Sequence, residues 1–248
     1  SSTDGGENWT PVAKGAGLPR KAVTDIWLDP SSPETSRRLW GAVPGSGAYV
    51  SEDDGKTWKA RNAGFEFDNL NVLRIKGGGR GRLFALTTVR VRGNASVPGA
   101  LYLSTNNGQQ WKKVFSENAA PFLTDVQLAA GGAGAVYVCA LHAKDTFETA
   151  VGGGVWKSAD DGKTWTHVFD KPAYSVGIDP RNPDRLYVSC WLHRGDGLHT
   201  SADGGATWTR VENYPFWRPL TVTFDPSDPD VVYVTNFGAG VFRGVHLK

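Results

Sequence analysis

The chain has 248 residues, a length that a single all-β domain can fill with one large core. Its 27 Lys and Arg residues are scattered among 25 Asp and Glu without a dense basic run, which argues against a nucleic-acid partner. Glycine is frequent at 31 residues, and no apolar stretch reaches the roughly 18 residues of a membrane helix. The composition therefore favours many short strands joined by tight turns.

One eight-residue pattern, Ser-x-Asp-x-Gly-x-Thr-Trp with some drift, recurs five times. The copies begin at Ser2, Ser51, Ser104, Ser158 and Ser201 and end at Trp9, Trp58, Trp111, Trp165 and Trp208. The third copy has Asn106 where the others have aspartate. A spacing of about 50 residues is typical of one four-stranded propeller blade with its loops.

A second motif, an apolar strand ending in Asp-Pro, keeps the same phase at Asp29, Asp179 and Asp225. Proline cannot donate to a sheet ladder, so the motif marks the end of the first strand of a blade. The predicted blades cover approximately residues 22–62, 69–115, 121–170, 173–213 and 219–248.

The last predicted blade has no box and no fourth strand of its own, whereas residues 2–13 contain both. We therefore expect residues 1–248 to form one all-β domain, a β-propeller of five four-stranded blades that is closed by the N-terminal strand. A fragment of a larger propeller that begins at a box is the alternative.

These repeats resemble the Asp-box (BNR) repeats of sialidases, of sortilin-type receptors and of the xyloglucan-specific glucanases with twin propellers. The resemblance covers nearly the whole chain and implies that each box is a structural turn between the third and fourth strands, away from the ligand face. Short polar side chains can accept N–H groups of their own turn, and tryptophan packs as a large apolar plug. We interpret as structural, and not as catalytic or calcium-binding, Asp4, Asp53, Asn106, Asp160, Asp203, Trp9, Trp58, Trp111, Trp165 and Trp208.

If the boxes lie on one side of the ring, the irregular loops at 88–99, 141–153 and 191–196 lie on the other. Long loops on a rigid scaffold are where function concentrates. Flat aromatic rings beside planar donors suit sugar rings, whose apolar faces are edged by hydroxyl groups. The predicted ligand-binding residues are Trp191, His193, Arg194, Trp217, Arg218, Phe237, His142 and Arg90.

Glycoside hydrolysis needs two carboxylates flanking the scissile bond, about 6.5–9.5 Å apart in inverting enzymes. Asp25 and Asp125 occupy equivalent places in the first strands of two blades and are the weak catalytic candidates; bonding to neighbouring backbone is the other interpretation. The stretch 235–238 lacks the acid that the resemblance to xyloglucanases implies there. The Arg-Ile-Pro motif of sialidases is absent, which argues against sialidase activity.

The sequence thus predicts a secreted, carbohydrate-binding propeller whose partner is a glycan or polysaccharide. The alternatives are a xyloglucanase-like glycoside hydrolase and a scaffold or assembly propeller that binds another protein. No cofactor is predicted, because the glycine runs lie in strand-to-strand loops, and no metal, because the histidines lack close ligand spacing. Cys139 and Cys190 are in registers that differ by one residue, which favours buried free thiols.

Overall fold

The computed structural model consists of short β-strands joined by turns and loops. The described residues are 2, 4–11, 16–66, 70–79, 81–92, 95–117, 122–129, 134–141, 152–190, 197–216, 218–238 and 240–245. In these ranges no helix is long and apolar enough to cross a membrane.

The strands of the described part are short, and we number them in chain order. They are β1 (Asp25–Leu28), β2 (Leu39–Val43), β3 (Gly47–Ser51), β4 (Lys59–Ala60), β5 (Val72–Gly79), β6 (Arg82–Thr87), β7 (Arg90–Arg92), β8 (Ala95–Val97), β9 (Ala100–Ser104), β10 (Lys112–Phe115), β11 (Phe122–Leu128), β12 (Val136–Leu141), β13 (Gly154–Ser158), β14 (Thr166–Phe169), β15 (Ala173–Ile178), β16 (Leu186–Cys190), β17 (Leu198–Ser201), β18 (Thr209–Arg210), β19 (Pro219–Phe224), β20 (Val231–Asn236) and β21 (Gly240–Val245).

Consecutive strands pair antiparallel into sheets of one repeated order. Four sheets have four strands each, namely β1-β2-β3-β4, β5-β6-β9-β10, β11-β12-β13-β14 and β15-β16-β17-β18. The described residues of the fifth sheet form three strands, β19-β20-β21, and a separate hairpin, β7-β8, is inserted into the second sheet. The first strands of successive sheets pack on one another, β1 on β5, β5 on β11, β11 on β15 and β15 on β19. This is the predicted β-propeller architecture.

The core consists of apolar layers between neighbouring sheets. Strand β12 is buried along nearly its whole length, because another sheet covers each of its faces. Its side chains alternate: Val136 and Val138 belong to the layer shared with the second sheet, whereas Tyr137 and Cys139 belong to the layer shared with the fourth. Each internal sheet is therefore held from both sides.

Each box turn is closed by bonds within itself. Asp53 Oδ1 accepts the Ser51 hydroxyl and the Thr57 N–H, both at 2.8 Å, and Ser51 Oγ accepts the Gly55 N–H at 2.8 Å. The fourth residue of every copy has φ between 55° and 72°, a left-handed conformation that glycine, aspartate and asparagine tolerate best. Those residues are Gly5, Asp54, Asn107, Asp161 and Gly204.

The first and fifth sheets have exposed apolar outer faces. Ile26 and Leu28 on β1, and Val241 and Val245 on β21, are exposed. Residues 4–11 form a box turn but belong to no strand. The described residues of the N-terminal segment therefore do not form the predicted fourth strand of the fifth sheet, and the closed ring of five blades stays a prediction.

The two cysteines are free and buried, as predicted, but the geometric reason given for it was wrong. A register difference of one residue turns the two side chains to opposite faces of their sheets. Opposite faces of successive sheets point toward each other, so Cys139 and Cys190 share one core layer. Burial is the main cause that raises the pKa of the Cys139 thiol well above its ordinary value.

Candidate functional site

The sheets have two chemically different ends. At one end three box turns meet the turn after the first strand of their own sheet; Asp54 N–H, for example, donates to Arg37 O at 3.1 Å, and Arg37 Nε lies 2.8 Å from Asp54 Oδ1. We call this end the box side. The opposite end, the loop side, carries the loops between second and third strands and the connections between sheets.

Two of the predicted ligand-binding residues meet on the loop side of the fifth sheet. Arg218 immediately precedes β19 and Phe237 follows β20, and the Phe237 N–H donates to Arg218 O at 3.1 Å. The Phe237 side chain is 62 % exposed. Beneath it, the buried Asn236 accepts a hydrogen bond from the Tyr214 hydroxyl, which fixes the base of this turn.

The other predicted loop residues are described only in part. Arg90 begins β7, where it pairs with Val97, so the long loop predicted over 88–99 is partly a β-hairpin. The remaining candidates lie outside the described residues, and their predicted role stays a prediction: His142, Trp191, His193, Arg194 and Trp217. Among the residues whose positions are described, no group of three His, Cys, Asp or Glu could hold a metal ion.

Asp25 ties the first sheet to the second. Its Oδ2 accepts the Ile75 N–H at 3.0 Å and lies 3.0 Å from Lys76 Nζ, so both partners belong to β5. The Asp25 side chain keeps 15 % of its surface exposed. The backbone bond and the ion pair give this carboxylate a structural task between two blades.

Asp125 links the third sheet to the fourth, and its side chain is buried. Its Oδ2 accepts the Ser175 hydroxyl at 2.6 Å, and its Oδ1 accepts the Val126 N–H at 2.9 Å. Arg74 Nε lies 3.9 Å from Oδ1, and the Gln127 amide donates at 3.2–3.3 Å. Burial raises the pKa of Asp125, although Ser175 and Arg74 act in the opposite direction.

The sequence analysis missed two partners of Asp125, namely Arg74 and Ser175. Both stand at the same position of their blades as Asp25 and Asp125, directly before a β-branched residue. In β5, β11 and β15 the pairing register shifts at this place, which marks a β-bulge. Because a bulge re-aims a side chain, the residue at this position can reach toward the neighbouring sheet. Comparing this one position across the blades would have predicted the polar contacts between sheets.

Both the sequence and the fold of the chain resemble those of known enzymes. No model of a known protein family matches the chain. The oligoxyloglucan-reducing end-specific xyloglucanase of Emericella nidulans is 26 % identical in an alignment 194 residues long, which covers 63 % of this chain and 23 % of that enzyme. An ancestral GH74 enzyme is similar with a TM-score of 0.67 and 24 % identity, over 92 % of this chain and 28 % of its own.

A second solved structure supports the same architecture. The GH74 enzyme of Niastella koreensis has a TM-score of 0.65 and 21 % identity, over 88 % of this chain and 35 % of its own. The chain thus spans about a quarter to a third of the length of these relatives. At these identities the structural likeness shows the β-propeller fold, and a fold alone does not determine an activity.

Proposed function

We propose that this chain is a propeller of the xyloglucanase-like glycoside hydrolase type that binds a xyloglucan oligosaccharide on its loop side. The observation that carries the proposal is the sequence similarity to the Emericella nidulans xyloglucanase, because it extends over 63 % of the chain. The similarity of the fold to two GH74 enzymes agrees with it.

The loop side of the fifth sheet supplies the chemistry for a sugar. Phe237 offers an exposed flat ring, and the neighbouring Arg218 carries five N–H donors on a planar group. A pyranose ring has an apolar C–H face and hydroxyl groups at its edge, so it can lie on the ring and accept bonds from the guanidinium. Binding would also remove exposed apolar surface from water, which is favourable.

Catalysis is the finer part of the proposal and concerns Asp25 and Asp125. A general acid must hold its proton near neutral pH, and the raised pKa of Asp125 is in the required direction. The Asp125 side chain is only 5 % exposed, so a scissile bond would have to approach between the inner strands. The contacts of both residues between sheets are equally well explained by structure alone, and the experiment below separates the two roles.

The test combines calorimetry with product analysis. We expect xyloglucan oligosaccharides to bind the intact chain and Phe237→Ala to weaken binding about tenfold, equivalent to about 1.4 kcal/mol. Arg218→Ala should weaken it as well, whereas Lys163→Ala, which removes an exposed cation on the box side, should leave it unchanged. Unaltered affinity in Phe237→Ala and Arg218→Ala would contradict the proposed site.

Incubation with the same oligosaccharides distinguishes hydrolysis from binding alone. Release of shorter products that Asp25→Asn or Asp125→Asn abolishes, while both variants still fold and bind, would assign those residues to catalysis. Binding without products would leave a glycan-binding module. A secreted location belongs to this proposal, because such polysaccharides are met outside cells; failure to bind any glycan would favour the protein-binding scaffold.

A further inference from the structure

Three box tryptophans make the same contact with the preceding sheet. Trp111 Nε1 donates to Arg61 O at 2.8 Å, and Arg61 is the third residue after Trp58. Trp165 Nε1 donates in the same way to Val114 O at 3.0 Å, and Trp208 Nε1 to Val168 O at 2.8 Å. Each indole therefore lies between its own sheet and the fourth strand of the sheet before it.

At the next equivalent place, where an indole would contact the third residue after Trp208, the structure has an open apolar cavity. The third residue after Trp208 is Val211, which lines a cavity of about 530 Å³ between the fourth and fifth sheets. Tyr187, Tyr214 and Phe242 also line it, so its walls resemble those around the other indoles. Val211 O accepts the Tyr214 N–H at 3.3 Å, and a carbonyl oxygen has a second lone pair for another donor. We call this cavity the fifth indole pocket.

One box tryptophan has the complete turn but no pocket. In the N-terminal copy, Asp4 Oδ1 accepts the Ser2 hydroxyl at 2.6 Å and the Asn8 N–H at 3.0 Å, as in the other boxes. The indole of Trp9 nevertheless remains 74 % exposed and donates only to Gly6 O of its own turn among the contacts described for it. For comparison, Trp58 is 6 % exposed.

The strand register matches as well. In the fourth sheet, Thr209, which follows the box tryptophan, pairs with Thr200, which precedes the box serine. In the fifth sheet Gly244 pairs with Val232 just as the box serine Ser158 pairs with Val136, so Gly244 stands at the box-serine position. A fourth strand formed by the N-terminal segment would therefore pair Thr10 with Arg243.

Proline at the next position is compatible with this strand. Pro11 corresponds to Arg210 of β18, and the following Val211 donates its N–H to Leu198 O at 2.8 Å. Because N–H groups alternate along a strand, the N–H at the Arg210 position points away from the sheet. Proline is tolerated at such a position of an outer strand.

The chain entering the first sheet is already placed for this arrangement. Trp58 N–H donates to Ala16 O. In the same way, Trp111 N–H donates to Ala63 O, which lies just after β4, the fourth strand of the first sheet. Residues 16–17 thus occupy the position of the end of a fourth strand that precedes the first sheet. The fifth sheet lacks a fourth strand among the described residues, and the exposed faces of both sheets would be covered if they met.

We propose that Thr10 and Pro11 lie in the fourth strand of the fifth sheet, with Trp9 in the fifth indole pocket and its Nε1 donating to Val211 O. The occupant of the pocket is this chain's own N-terminal box, and its docking joins the first sheet to the fifth. This association does not depend on any glycan, so it can fail or succeed independently of the proposed function.

Disulfide trapping tests the pairing directly. In the double variant Thr10→Cys/Arg243→Cys, mild oxidation should form a bond within one chain, seen as a monomer by light scattering and by mass on a non-reducing gel. Thr200→Cys/Thr209→Cys is the matched positive control, since that pair occupies the same place in the described fourth sheet. Cys139 and Cys190 are fully buried and do not compete.

Each other outcome overturns the proposal. Disulfide-linked dimers would show that the pocket takes the box of a second copy, and absence of the bond while the control forms would show that the segment does not reach β21. Thermal unfolding gives a second measurement without engineered cysteines. A docked Trp9 predicts that Trp9→Ala lowers Tm by about 5 °C or more, whereas an unchanged Tm would contradict docking.

Discussion

The propeller sheets carry their acidic residues in two regions with opposite electrostatics. On the box side, Asp53, Asp160 and Asp203 face water, and the pKa of each lies at about 2 because the threonine at the seventh box position donates its hydroxyl and N–H. On the inner strands Asp125 is enclosed, and burial raises its pKa. The same carboxyl group is thus stabilised as an anion in one region and destabilised in the other, since only the first keeps its hydration.

The two regions also differ in how they repeat. A box aspartate bonds within its own turn, so the same sequence gives the same geometry in every copy. An inner-strand acid bonds to the next sheet, and its partner changes from Lys76 for Asp25 to Ser175 for Asp125. Trp111, Trp165 and Trp208 each donate to the preceding sheet from a large apolar ring, and the box tryptophans should therefore carry much of the stability of that region.

The largest effect is expected from Trp111→Ala. The indole is 2 % exposed, stacks on Phe65 at 5.1 Å between ring centroids and packs edge-on against Trp40 at 6.4 Å. Truncating a buried aromatic residue destabilises by about 3–5 kcal/mol, and the bond to Arg61 O is lost as well. Urea unfolding of Trp111→Ala and the milder Trp111→Phe measures the loss; a change below about 1 kcal/mol in both would contradict this role of the box side.

The next effect is expected from Asp125→Ala. The substitution leaves the Ser175 hydroxyl and the Val126 N–H without their acceptor inside the protein. A buried donor without a partner costs about 1–3 kcal/mol, partly offset because a buried carboxylate is removed. Asp125→Asn keeps an acceptor and is the matched control, so urea unfolding should rank it between the wild type and the alanine variant. The reverse order would mean that the bonds between sheets contribute little.

The fold could be predicted from the sequence because its determinants are local and repeated. The box pattern and the Asp-Pro motif predict a propeller of short strands and tight turns, since glycine, proline and tryptophan have fixed tasks in a turn. The contacts of Asp125 with Ser175 and Arg74 belong to neither motif; they join the same position of different blades, about 50 residues apart, and only a comparison of that position reveals them. The loop residues Arg218 and Phe237 meet through one backbone bond that no repeated pattern encodes.

The smallest effect is a pH dependence of opposite sign in the two regions. The pKa of Asp203 is lowered from 3.8 to about 2, so its contribution to stability is fully present above pH 3.8 and is lost as the pH falls toward about 2. The pKa of Asp125 is raised above 3.8, so the folded state holds that proton more tightly, and stability falls as the pH rises from 3.8 through the raised value.

Asparagine variants isolate these two pH dependences of stability, because an amide does not titrate. The third box shows that asparagine is compatible with the turn: Asn106 Oδ1 accepts the Gln110 N–H at 3.0 Å and the Ser104 hydroxyl at 2.9 Å. Urea unfolding at a series of pH values gives the free energy of unfolding of each variant. The difference in this free energy between Asp203→Asn and the wild type should depend on pH only below pH 3.8. For Asp125→Asn the difference in free energy of unfolding from the wild type should depend on pH only above pH 3.8. If this difference changed with pH in the same direction for both variants, the two regions would not be electrostatically distinct.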